Sequence, residues 1–171
     1  NKNYEREISY TNPPVMTIHR KKNLTTKGFE RILRFCKLYG KPINFFIHHS
    51  TESFISKNNY ILPENIIVKP PIKYNEMVDA LSTCEFIITD SGGLMKTAPF
   101  FGKKCLVMRD EIEWVDVEQS GYGKRFSKLK DPISWVLNNV VHRDKDFYIP
   151  NGRPSKIIID ELKKFIYVTK K

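Results

Sequence analysis

The chain has 171 residues, 40% hydrophobic and 28% charged, enough for one domain with a substantial core and a balance that excludes intrinsic disorder. No apolar run approaches the ~20 residues a membrane-spanning helix needs, and "NKNYEREISY" has none of the marks of a secretory signal. The formal charge of +10 favours anionic partners, but the lysines are dispersed among acidic residues, so a solvated basic surface is a better reading than a nucleic-acid footprint.

In chain order, residues 1–13 read as a connector, and residues 14–171 as one domain. The chain opens on Asn1 rather than methionine, so sequence upstream is expected. "PVMTIH" (14–19) is β-branched and apolar behind two prolines, a strand. "TTKGFERILRFCKLYG" offers Thr25 or Thr26 as N-cap, Phe29, Ile32, Leu33, Cys36 and Leu38 near helical spacing, and Gly40 as C-cap. "INFFIH" (43–48) is a second strand, residues 49–60 a polar loop, and "NIIVKP" a third strand. "YNEMVDALSTC" is an amphipathic helix with Met77, Ala80, Leu81 and Cys84 inward. "EFIITD" is a fourth strand, residues 93–101 a helix, and "KCLVM" a fifth strand. "EWVDVEQSG" is a short helix, and "DPISWVLNNVV" another, with Asp131 capping and Pro132 at its first position. "RPSKIIIDELKKFI" closes the chain as a helix with Ile157, Ile158, Leu162, Phe165 and Ile166 in an apolar stripe.

These strands are continuous apolar runs, the pattern of strands buried on both faces. That implies an α/β fold, a Rossmann-like open parallel sheet with helices on both faces. Cys36, Cys84 and Cys105 are odd in number, lie in apolar segments and lack C-x-x-C spacing, so reduced core thiols in a cytoplasmic protein are expected.

Ligands of such sheets bind outside the carboxyl ends of the strands. Three polar clusters fall there: His19-Arg20, His48-His49-Ser50 and Asp90-Ser91-Gly92-Gly93. Parallel strands would put them on one rim. Ser91, Gly92 and Gly93 would present unpaired N–H groups at a helix N-terminus, suited to a diphosphate, and Arg20 could pair with a phosphate. The plainer alternative is a capped strand–helix turn, with His19 a packed structural residue. No acidic or cysteine partner stands at ligand spacing from His48 and His49, so no metal is expected, and no cofactor.

The combination "VMTIHRKKN", a strand ending in His48, "TDSGG", "APFFGKKCLVMRD", "EWVD" and the late "YIPNGRPSKI" resembles the non-hydrolysing UDP-N-acetylglucosamine 2-epimerases, over roughly residues 14–166. It resembles only their C-terminal half. The resemblance implies one half of a glycosyltransferase-B type fold, with a UDP-sugar in the cleft against an N-terminal Rossmann half, in the same longer chain or a separate subunit, and a homodimer. The family reaction removes the C2 proton, eliminates UDP to leave a glycal, and re-adds both on the other face.

By that resemblance His19 is the catalytic histidine. Substrate contacts fall to Arg20, His48, Asp90, Ser91, Gly92, Gly93 and Glu113, with Tyr74 and Met77 in the stretch enclosing the uracil. Where the family typically continues "S-G-G-x-Q-E/K-E-A", this chain reads "S-G-G-L-M-K-T-A". Met95 stands for the glutamine and Thr97 for the ribose-binding glutamate. Losing that carboxylate is expected to weaken nucleotide binding by roughly 1.5–3 kcal/mol. The family's acid/base carboxylates lie in the absent half. The chain alone is therefore not expected to be an efficient epimerase. A non-catalytic nucleotide-sugar-binding module is the alternative.

Overall fold

The computed structural model describes residues 12–138 and 154–168. All of the expected connector but Asn12 and Pro13, and most of "YIPNGRPSKI", lie outside the described residues. Six strands, β1 (Val15–Thr17), β2 (Ile43–Phe46), β3 (Ile66–Lys69), β4 (Ile87–Thr89), β5 (Cys105–Val107) and β6 (Gly123–Arg125), form one sheet. Every pairing is parallel, in the order β3-β2-β1-β4-β5-β6. Every residue of β4 and β5 is buried, as continuous apolar runs require of central strands.

The order grows outward from the middle in both directions. Helix α1 (Thr26–Tyr39) crosses from β1 to β2 and α4 (Gly92–Thr97), extended by a 3-10 turn at Ala98–Phe101, crosses from β4 to β5. Right-handed crossovers in opposite directions put their helices on opposite faces. Accordingly the core splits in two. One cluster packs Ile32, Phe35 and Cys36 of α1 and Val136 of α6 (Pro132–Asn138) on Met16, Ile88 and Leu106. The other packs Leu81 of α3 (Tyr74–Thr83), Met95 and Val117 of α5 (Val115–Gln119) on Val15, Ile87 and Val107. The strand order reverses direction between β1 and β4, where a crevice opens at the carboxyl rim.

Local sequence explains most boundaries. Thr25 caps α1, its hydroxyl accepting from the Gly28 N–H at 3.2 Å, and Gly40 ends it with φ 71°. Asp131 caps α6 through the Ser134 N–H at 2.9 Å.

Three expectations are corrected. Residues 49–60 are not a loop: α2 (His49–Lys57) occupies most of them. Two adjacent parallel strands cannot be joined by a hairpin, and this helix supplies the crossover. A sixth strand, β6, was not expected, because Gly-Lys-Arg carries no apolar pattern; it pairs β5 as an edge. Leu38 is 68% exposed, whereas Phe35 and Tyr39 turn inward. The closing helix α7 (Pro154–Val168) forms as expected, but Ile157, Ile158, Leu162 and Phe165 are exposed. Ile166 lies outside the residues whose side chains are described.

Candidate functional site

β1 and β4 lie in register, Thr17 beside Thr89, so the residues leaving both strands emerge together. The two threonine hydroxyls bond at 2.7 Å. One step beyond, Asp90 is fully buried. Its carboxylate accepts from the backbone N–H of His19 (3.1 Å to each oxygen) and of Arg20 (2.9 Å), and from Asn23 Nδ2 (2.9 Å). A buried carboxylate is tolerable only with such a set of donors. It also lies 3.0 Å from His19 Nδ1. Assigning the proton of a neutral His19 to Nδ1 satisfies that contact and leaves Nε2 as the acceptor, in a side chain 39% exposed at the rim.

Asn23 also donates to the Met108 carbonyl at 2.7 Å, so one buried amide ties the β1–α1 loop to the ends of both β4 and β5. Arg20 donates through Nε to the Asp90 carbonyl (3.2 Å) and reaches Glu113 at 3.6 Å. Arg109 holds the same Glu113 oxygen at 2.8 Å. That contact lowers the Glu113 carboxyl below its ordinary range. Glu113 in turn rests on the start of α4: a β-carbon at Gly92 would lie 2.5 Å from Glu113 Oε2 and 3.6 Å from Trp114 Nε1. A side chain there would displace the Glu113 carboxylate from its place. Lys96 sits over the Trp114 ring at 4.0 Å.

Of the three N–H groups expected at this helix start, that of Ser91 is already bonded to the Thr89 hydroxyl at 3.0 Å. No described hydrogen bond uses the Gly92 or Gly93 N–H.

His48 joins the same rim. It caps α2 by accepting from the Ser50 N–H, and its ring centre lies 6.0 Å from that of His19. Thr51 ties α2 to β1 by donating its buried hydroxyl to the Ile18 carbonyl. The structure thus gathers His19, Arg20, His48, Asp90, Gly92 and Glu113 around one crevice, with Ser91 and Gly93 beside Gly92. Tyr74 is exposed at the first turn of α3, with no described contact to this group, and Met77 packs into the core cluster on the α4 face. Thr97 turns its hydroxyl back to the Gly93 carbonyl at 2.8 Å, and Met95 is buried in the core. Among the described residues no three His, Cys, Asp or Glu side chains gather as a metal site.

Asn23, Arg109, Thr17 and Trp114 escaped sequence reasoning. Only burial marks the first as special, since an asparagine in "HRKKN" reads as one more polar loop residue.

A family model described as UDP-N-acetylglucosamine 2-epimerase matches residues 1–147. A UDP-2,3-diacetamido-2,3-dideoxy-D-glucuronate 2-epimerase of Pseudomonas aeruginosa is 31% identical over 156 residues, 86% of this chain and 43% of the relative. A UDP-N-acetylglucosamine 2-epimerase of Methanococcus maripaludis is 32% identical over 159 residues, 85% of this chain and 43% of that protein. Among solved structures, a Methanocaldococcus jannaschii UDP-GlcNAc 2-epimerase in complex with UDP-GlcNAc and UDP superposes with a TM-score of 0.73 at 24% identity, over 89% of this chain and 45% of that one. That last likeness is one of fold, of the glycosyltransferase-B kind. The chain spans a little under half the length of these relatives.

Proposed function

Because this chain belongs to the UDP-N-acetylglucosamine 2-epimerase family, we propose that it is the C-terminal, UDP-binding half of such a protein, completed by an N-terminal Rossmann half and not competent alone. The reaction is interconversion of UDP-GlcNAc and UDP-ManNAc, or of a modified UDP-N-acetylhexosamine, in the cytoplasm, for cell-surface polysaccharide precursors. The whole works as a homodimer. The observation that carries the reading is the crevice itself, where a histidine anchored on a buried aspartate stands beside two unspent helix-start N–H groups.

In this reading each site residue takes a role. Asp90 fixes the His19 ring through Nδ1, so Nε2 takes and returns a proton on the sugar side; such general acid–base help is worth roughly 10²–10⁴ in rate. Elimination of UDP places negative charge on the departing diphosphate. The Gly92 and Gly93 N–H groups, the Ser91 hydroxyl and Arg20 meet that charge, at the positive end of α4. Glu113, held by Arg109, and His48 border the sugar, while Tyr74 and Met77 take the uracil side. The opposing acid/base carboxylates come from the other half. The exposed apolar stripe of α7 supports a missing partner surface.

A second reading, a non-catalytic nucleotide-sugar-binding module, is favoured by one observation: Thr97, at the expected ribose position, spends its hydroxyl on its own helix.

Calorimetric titration with UDP tests the binding site under both readings. The parent chain should bind, and Ser91→Asp, which sets a charge against the diphosphate, should abolish binding. No UDP binding by the parent chain overturns both. Joining the chain to an N-terminal half then separates them: turnover of UDP-GlcNAc that falls about 100-fold or more in His19→Ala supports the enzyme. Undiminished binding with no turnover supports the module.

A further inference from the structure

The carboxyl rim carries a concavity on the α1 side of the sheet, which borders the crevice described above at Arg20 and Arg109. A cavity of ≈ 490 Å³ lies between the β1–α1 loop, the first turns of α1 and the loop after β5. Six cationic side chains line it: Arg20, Lys21, Lys22, Lys27, Arg31 and Arg109. Only two carboxylates, Asp110 and Glu111, do so.

One of the two lining acids is committed. Asp110 pairs with Lys22 at 3.1 Å, and Lys22, then Ser127, with Arg31 a smaller contributor, hold it below its ordinary range. Arg20 and Arg109 share Glu113, which belongs to the crevice already described. None of the described ion pairs engages Lys21, Lys27 or Arg31. The Arg31 guanidinium lies instead over the Phe126 ring at 5.1 Å.

The helix adds to the imbalance. α1 has no acidic residue in its first turn and carries Lys27 there, although the positive end of the helix dipole favours a carboxylate. Its nearest acid, Glu30, is exposed and does not line the cavity. Cations crowded around a concavity at a helix start repel one another unless an anion joins them. A cavity of this volume is in the range of small-molecule sites and is far too small for a nucleic-acid duplex.

We propose that this cleft is a second anion site, separate from the Gly92–Gly93 crevice, that takes a small phosphorylated molecule between Lys21, Lys27 and Arg31. It adjoins the crevice through Arg20 and Arg109, while Lys21, Lys27 and Arg31 have no part in the crevice. Lys21 and Lys27 line only the cleft and Ser91 stands only at the start of α4, so substitutions at these positions address the two sites one at a time.

The test is titration of pyrophosphate, and of glucose 1-phosphate, into the chain at low ionic strength, followed by calorimetry and by NMR shifts of the α1 first-turn amides. Lys21→Glu/Lys27→Glu changes two exposed side chains and should retain the far-UV circular dichroism and melting temperature of the parent. It should weaken one binding event about tenfold or more and remove the α1 shifts. Ser91→Asp should leave that event in place. Lys37→Glu/Lys57→Glu, with the same change of net charge at exposed positions elsewhere, should leave it within about twofold. Equal weakening by the distant pair would mean bulk electrostatics and overturn the proposal, as would loss of all binding in Ser91→Asp or no α1 shifts in the parent. Should the glutamate pair misfold, Lys21→Gln/Lys27→Gln carries the same expectation.

Discussion

Asp90 is the residue on which the rim depends. It lies at the end of a central strand, fully buried, with two backbone N–H groups, one amide and one imidazole directed at its two oxygens. All of these are donors, and the group between them has to be an acceptor on both sides. Asp90→Asn keeps the shape but turns one side into an N–H₂ facing other N–H groups. The expected cost is about 2–3 kcal/mol, read as a lower midpoint in urea at unchanged slope. The His19 imidazole should also change its ¹⁵N chemical shifts, because the Nδ1 partner has changed. A variant as stable as the parent would show that the carboxylate does not anchor the loop. Glu113 and Gly92 form a second such dependence, in which an acid held by two arginines occupies the space a side chain at Gly92 would need.

At the scale of elements, α2 couples the second strand's exit to the first. Its one buried residue is Thr51, whose hydroxyl donates to the Ile18 carbonyl, and its cap is His48. Thr51→Val keeps the volume and removes the donor, leaving the buried Ile18 carbonyl without it. A loss of about 1–3 kcal/mol is expected in equilibrium unfolding, with line broadening of the His19 and His48 rings as the two lose their common support. Sharp, unshifted rings would mean that α2 is placed by other contacts. The same helix shows where sequence reading fails. In "HSTESFISK" only Phe54 and Ile55 are apolar, so no periodic face announces it. α1, with Phe29, Ile32 and Cys36 on one face between a threonine and a glycine, was plain. β6 was hidden because edge pairing needs backbone groups and no apolar side chains. The convergence of His19, His48 and Asp90 was legible because parallel strands deliver their ends to one rim. The Asn23 contacts were not, since they depend on side-chain reach to strand ends that are neighbours in space but distant in sequence; the Arg109–Glu113 pair is local, but nothing in "RDEIE" marks which of its acids the arginine takes.

At the scale of the whole molecule, buried thiols and amines set how stability changes as pH rises. Burial pushes the Cys36 thiol up to about 12 and Cys84 to about 11, and raises Cys105 and Tyr39 as well, Tyr39 with help from Glu85. All three thiols are unpaired and buried. In the unfolded chain they ionise from 9.0, so above that pH the folded state holds protons that the unfolded state has released. Stability from this source is complete below pH 9 and is lost as pH rises through 11 to 12. Burial acts oppositely on two amines: Lys104 falls to about 8 and Lys103 is lowered. Between about pH 8 and their ordinary value of 10.5 the unfolded state binds more protons at these sites, so they add stability as pH rises. One amine nevertheless gains a structural role, since Lys104 Nζ donates to the Trp135 and Val136 carbonyls in α6. Four acids against two amines leave a melting temperature nearly level from pH 8 to 9, falling beyond it. The fall is steepest above 10.5, where the amines no longer offset the thiols. Thermal melts under reducing conditions in half-unit steps from pH 7 to 11.5 measure the curve. Cys36→Ala should lower the neutral melting temperature, through the cavity it leaves, yet flatten the alkaline limb. A limb of unchanged slope in that variant, or a parent curve level to pH 11, would remove the thiols as its cause.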